Sequence, residues 1–195
     1  MRYKPMRKLL LLLMLFTVYS SLSFSQNAGI RTNVAHAAFF GTPNLGAEFA
    51  LNRTYSLVID GGINPWEFDN NQKMKHWIVQ PEVRRWFCEV FNGHFIGLHG
   101  LVSEFNMGGL DIPVGRLAAL QEHRYEGFAF GGGLSYGYQW VIGRRFNFEA
   151  SIGAGFAHLT YDRFPCARCA DRISTGTRNY FGITRASLSL IFFIN

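Results

Sequence analysis

The chain has 195 residues, with 19 Lys and Arg against 13 Asp and Glu for a net charge of +6, and it is rich in Gly (21) and Phe (19) but holds only 6 Pro. Residues 1–25 carry four of the basic residues and no acidic one, so the remainder has 15 basic against 13 acidic residues and a net charge of about +2. A surplus that small excludes nucleic acid as a partner argued from charge, and the length after residue 25 fits one domain.

In chain order, Arg2, Lys4, Arg7 and Lys8 precede the apolar run Leu9 to Phe16, and small residues then lead through Ser23 and Ser25 to Gln26. A basic start, a short apolar run and a small-residue exit predict a signal peptide over 1–25, cleaved after Ser25, with the mature domain over 26–195. The run is too short to span a bilayer as a helix, which takes about 20 apolar residues. No Cys follows it, so a lipoprotein anchor has no acceptor.

Period-two alternation then dominates. Leu45, Ala47, Phe49 and Leu51 alternate with Asn44, Gly46, Glu48 and Ala50; Tyr55, Leu57, Ile59 and Ile63 alternate with Ser56, Asp60, Gly62 and Asn64. Trp77, Val79 and Val83 alternate with Gln80, Glu82 and Arg84. From Glu126 to Trp140 the large residues Phe128, Phe130, Leu134, Tyr136, Tyr138 and Trp140 alternate with Gly, Ala, Ser and Gln. Phe146 to Phe156 and Arg185 to Ile194 repeat the pattern. Side chains on a strand alternate between faces, so each segment has one apolar face and one small or polar face. Eight strands are expected near 29–40, 44–51, 55–63, 77–87, 94–105, 125–141, 146–161 and 183–194.

The turns at 52–54, 88–93 and 143–145 are short, whereas the loops at 64–76, 106–124 and 162–180 are long; 41–43 is the one short member of the second class. Short turns on one side and long loops on the other suit an eight-stranded antiparallel up-and-down transmembrane β-barrel of the outer membrane. Both termini then fall on the periplasmic side. A soluble barrel would hold its bulky apolar residues inside; an eight-stranded interior has room only for side chains, and here the small and charged faces suit it. Tyr55, Trp77, Tyr138, Trp140 and Tyr161 near strand ends are expected to form interfacial belts.

Glu48, Asp60, Glu82, Arg84, Glu149 and Arg185 fall on the inward set, and a mutually neutralising charge network in the lumen explains them better than an ion path or catalytic carboxylates, since buried charge is costly unless paired. The histidines, His36, His76, His94, His99, His123 and His158, form no spacing with Ser and an acid that marks a catalytic site, and none that marks zinc. No cofactor is expected. Cys166 and Cys169 are expected to form a local disulfide in the last long loop of an exported protein. Cys88 lies at the opposite end of the barrel and is expected to be a free thiol.

The stretches Thr42 to Gly46, Asn64-Pro65-Trp66, Lys75 to Phe95, Tyr136 to Trp140, Pro165 to Cys169 and Arg178 to Gly182 together resemble a family of small outer-membrane β-barrels of unknown function from Gram-negative anaerobes. The resemblance implies a fold and a location but no activity. It also implies an association with fimbria-type surface clusters, so the expected role is non-enzymatic: a structural barrel in outer-membrane lipid that presents loops to cell-surface or fimbrial proteins. The alternatives are a lipid-modifying enzyme of deacylase or acyltransferase type and, with less room in its favour, a small pore.

Overall fold

The computed structural model describes residues 28–67, 72–109, 123–165 and 171–194. The expected signal peptide and the expected Cys166–Cys169 pair lie outside these described residues. The elements are β1 (Ala28–Asn33), α1 (Val34–Phe40), β2 (Asn44–Ala50), β3 (Tyr55–Asn64), β4 (Lys73–Trp86), β5 (Gly93–Gly108), β6 (His123–Val141), β7 (Phe146–Pro165) and β8 (Ser174–Ile194). Each strand pairs antiparallel with the next, and β8 pairs back onto β1, from Ala28 opposite Ile194 to Asn33 opposite Ser189. The sheet closes into a ring with no edge at its lower end.

Tight turns close the short side. The Asn52 side chain accepts from the N–H groups of Thr54 and Tyr55 at 2.8 and 2.9 Å, an Asx-type lock on the β2–β3 turn. In the β4–β5 turn the chain reverses through Phe91 and Gly93, with φ of 67° and 82°.

Register fixes the tilt. Ala50, Ser56, Arg84, Gly97, Ser135, Gly153 and Arg185 stand side by side across β2 to β8. Extending the β1 ladders places Ala50 opposite position 27 and Arg185 opposite position 37. The ring therefore closes with a stagger of about ten residues, which for eight strands spaced about 4.8 Å apart gives a tilt of about 40°.

Two features depart from the expected strands, and a third is an irregularity inside one of them. Residues 34–40, expected as part of the first strand, are helical. Asn33 caps α1 by accepting from the His36 N–H at 3.2 Å, and Gly41, at φ 56°, ends it in the left-handed conformation. The Ala-rich stretch favours a helix, and its adjacent pairs Ala37-Ala38 and Phe39-Phe40 break the alternation a strand needs. Second, the segment expected as a loop over 162–180 largely belongs to β7 and β8, which run on to Pro165 and begin at Ser174. A bulge explains the difference: Gly153 faces Arg185 but Ala154 faces Ile183, so Thr184 is an extra residue. Outward side chains are even-numbered below it and odd-numbered above, and the alternation read downstream fails at that step. Third, Pro81 sits inside β4, where the β4–β5 ladder lapses between Val79 and Glu82. The ring nitrogen has no hydrogen to donate there, and Gly100 lies beside it on β5.

Strand length rises around the ring from 6 residues in β1 to 21 in β8. The wall is low at β1–β3 and tall at β6–β8, whose upper parts project as an open sheet.

Candidate functional site

The inward face is built from alternate residues of every strand, and at mid-height it is ionic. Arg31 of β1 pairs with Glu48 at 3.2 Å, Asp60 at 3.1 Å and Glu149 at 2.7 Å. Arg84 of β4 pairs with Glu48 at 3.1 Å, Glu82 at 2.7 Å and Glu149 at 2.6 Å. Arg185 of β8 pairs with Asp60 at 2.5 Å and Glu82 at 3.3 Å. Ser56 donates to Glu48, and Ser135 of β6 donates to Glu82. His99 of β5 bonds Thr184, the bulge residue, at 2.8 Å. Side chains of all eight strands are thereby tied across the interior. Small residues make the room: a Cβ on Gly97 would run into Glu82 and Ser135, and one on Gly46 into Asp60 and Arg31.

All six charged residues singled out in the sequence thus meet in one network. Arg31 completes it and was missed, because its strand is six residues long and the helix that follows hides the alternation of Gly29, Arg31 and Asn33 with Ile30 and Thr32. The network holds three guanidiniums and four carboxylates. Their multiple short contacts offset the cost of removing them from water, which single unpaired charges would not meet.

Below the network an aromatic plug seals the turn end. Trp86 packs on Phe95 at 4.8 Å between ring centres, and Phe91, carried inward by the β4–β5 turn, packs on Phe193 at 4.7 Å. The Trp86 indole donates to Ser56 at 2.9 Å, and the Arg84 guanidinium lies 4.2 Å over the Phe95 ring, joining plug to network. Trp86, Phe95 and Ile191 are buried. The opposite end is open, with a cleft of about 920 Å³ bounded by Asn64, His76, Asn106, Glu126, Tyr161 and Asp162 among others.

The outer face is the inverse of a soluble core. Leu45, Ile63, Leu98, Leu134, Ile152 and Phe181 are among its exposed apolar side chains, the last at 79%. On β4 the outward residues between Lys75 and Arg85 are Trp77, Val79, Pro81 and Val83; on β5 those between His94 and Glu104 are Ile96, Leu98, Gly100 and Val102. Ten residues span about 33 Å along a strand, or about 25 Å along the axis of a barrel tilted by about 40°. Trp77 and Trp140 lie outward near the two limits of this band; Trp77 donates to Glu104 at 2.9 Å. Tyr161, grouped with them in the sequence, instead packs on Tyr125 at 5.5 Å on the inner side of the projecting sheet.

Above the band the surface becomes polar: Phe156 gives way to His158, Thr160 and Asp162 on β7, and Phe181 to Asn179, Thr177 and Thr175 on β8. Asp162 accepts from Thr175 at 2.6 Å and from Arg172 at 3.2 Å; these bonds hold its carboxyl below the usual range. Glu67, near the open rim, is held down likewise by the hydrogen bond and charge of Lys75 at 2.5 Å. The remaining histidines are dispersed: His94 bonds Tyr136, His158 bonds Asn179, His123 contacts Arg163, and the His36 and His76 rings lie 6.2 Å apart. Among the described residues no three His, Cys, Asp or Glu side chains are grouped to hold a metal. Cys88 is an exposed free thiol in the β4–β5 turn.

A closed eight-stranded antiparallel ring, ionic inside and apolar outside, with one end plugged, defines the class of fold. The chain belongs to the family described as "Protein of unknown function (DUF3575)", whose model matches residues 9–194. No curated protein matches it.

Proposed function

We propose that the chain is exported and spans the outer membrane as a non-conducting barrel that anchors a partner-binding surface outside the cell. The observation that carries this is the charge-free apolar band on the outer face, about 25 Å tall, which matches the lipid-facing band of such barrels. In water a band of that extent would drive aggregation; in lipid it needs no cover. Where β1 pairs with β8 the ring leaves no unpaired strand edge, as a bilayer core requires, and α1 packs beside β8 directly above. The interior supports a structural role rather than a channel: the ionic network ties strands across the lumen, and Trp86, Phe95, Phe91 and Phe193 pack on one another at the turn end. The energy of the fold is thus concentrated in a rigid post, while the long walls of β6–β8 and the loops above them carry the surface available to cell-surface or fimbria-type partners.

Cysteine labelling tests the orientation. In a Cys166→Ser/Cys169→Ser background, Cys88 is expected to react with a membrane-impermeant maleimide only after the outer membrane is opened. A Thr177→Cys variant that also carries Cys88→Ser is expected to react in intact cells. Labelling of Cys88 in intact cells, or recovery of the chain in the soluble fraction, overturns the proposal.

A further inference from the structure

We propose that β8 accepts an added β-strand from a partner protein along its free edge at Thr175 to Ile183. Ile183 and Phe181 stand level with the top of the apolar band, and the outside location of the edge above them, Thr175 to Asn179, rests on the membrane-spanning function proposed above; the edge itself does not. The β1–β8 ladder stops at Asn33 opposite Ser189. Asn33 then serves the next edge groups with its side chain, donating to the Ala186 carbonyl at 3.0 Å and accepting from the Leu188 N–H at 3.2 Å. Above that point no strand among the described residues pairs with this side of β8, while β7 pairs with the other side up to Ser174.

The contacts of Asn33 show that residues 186 and 188 turn their N–H and C=O groups to this edge. The bulge at Thr184 shifts the parity by one, so Ile183, Phe181, Asn179, Thr177 and Thr175 do so above it. The Ile183 carbonyl, free of the ladder, accepts instead from the Tyr180 hydroxyl at 3.4 Å. Exposed edges are normally blunted by Pro, Lys or a bulge. Between Ser174 and Ile183 there is neither Pro nor Lys, the single charge is Arg178, and the bulge lies below. Thr175, Thr177, Tyr180, Phe181 and Ile183 are good strand formers, so the edge stays extended and ready to pair.

Continuity with the β1 ladder identifies the occupant. α1 packs against β8 where β1 leaves it, so an added strand lies above α1, in line with the β1 ladder, and runs antiparallel to β8 as β1 does. A second copy in the same bilayer has the same up–down sense, so its β8 runs parallel to this one and cannot lie antiparallel beside it. The partner therefore supplies an extended segment of another protein, with apolar residues beside Phe181 and Ile183 on one face and an acidic residue beside Arg178 on the other.

The test uses the full mature chain refolded in detergent micelles and, as probe, a synthetic peptide of about ten residues alternating valine and threonine with one aspartate. Amide exchange at Thr175, Thr177 and Asn179 is expected to slow at least tenfold with peptide, while Gly176 and Arg178, which already face β7, stay unchanged. Thr177→Pro removes only an edge donor, so the variant should keep the heat-dependent gel shift of a folded barrel and lose the protection. In cells, a photo-crosslinker at Thr175 should give an adduct with another protein that Asn179→Pro abolishes. No protection at saturating peptide, undiminished binding by folded Thr177→Pro, or an adduct that is a dimer of this chain each overturns the proposal. Edge protection in a chain that fails to fractionate with the outer membrane overturns the location alone.

Discussion

Replacing Arg84 with Met leaves Glu48, Glu82 and Glu149, all with fully buried side chains, facing two guanidiniums in place of three. Arg84 donates twice to Glu149, twice to Glu82 and once to Glu48, and four carboxylates would then share Arg31 and Arg185. Removing one partner of a buried ion pair costs about 3–5 kcal/mol, because the charge left behind is uncompensated. Glu149→Gln acts on the same contacts with the opposite balance: three guanidiniums meet three carboxylates, and the amide oxygen still accepts from Arg31 or Arg84. That loss is about 1–2 kcal/mol. The double variant should cost less than the two single losses together, by about 1–2 kcal/mol, since the residues share contacts. Urea unfolding of the protein in lipid vesicles, followed by tryptophan fluorescence, measures this; with a slope of about 1–3 kcal/mol per molar, Arg84→Met should move the midpoint by one or more molar. Arg84→Met within about 1 kcal/mol of the parent, or Glu149→Gln costing more than Arg84→Met, would refute the charge-balance account.

Other consequences follow from the same contacts. Gly97→Val should destabilise by about 1–3 kcal/mol in the same unfolding assay, because its side chain displaces Glu82 and Ser135, whereas Gly100→Ala, whose nearest neighbour is Pro81 at 3.4 Å, should change little. Asn33→Ala removes both the cap of α1 and the link to β8, for a loss of about 1–2 kcal/mol and faster exchange of the His36 and Leu188 amides. Glu67 should titrate below the ordinary carboxylate range by NMR and move back towards it in Lys75→Met, with Lys73 still holding it down in part. Because its folded value is depressed, the Glu67–Lys75 contact is intact above the ordinary carboxylate range and is lost as pH falls through the lower folded value.

The strand faces were legible in the sequence because the side-chain period of two is a local property: Phe128 to Trp140 and Tyr55 to Ile63 carry their burial in their spacing. The inward charges Glu48, Asp60, Glu82, Arg84, Glu149 and Arg185 were legible for the same reason. Also local, though overlooked, were the Asn33 cap and the Gly41 end of α1, which mark a helix where alternation was assumed to continue.

What the sequence could not determine lies in pairings between distant residues. Which guanidinium meets which carboxylate depends on the stagger of the ring, since it brings Arg31 within reach of Glu149, 118 positions away. The bulge at Thr184 exists only relative to β7, so the true start of β8 was hidden. So was its free edge, which arises because β1 leaves the ladder at Asn33 while β8 runs on. Local chemistry thus determined which residues face inward; the closure of the sheet decided what they meet there and where the wall is left open.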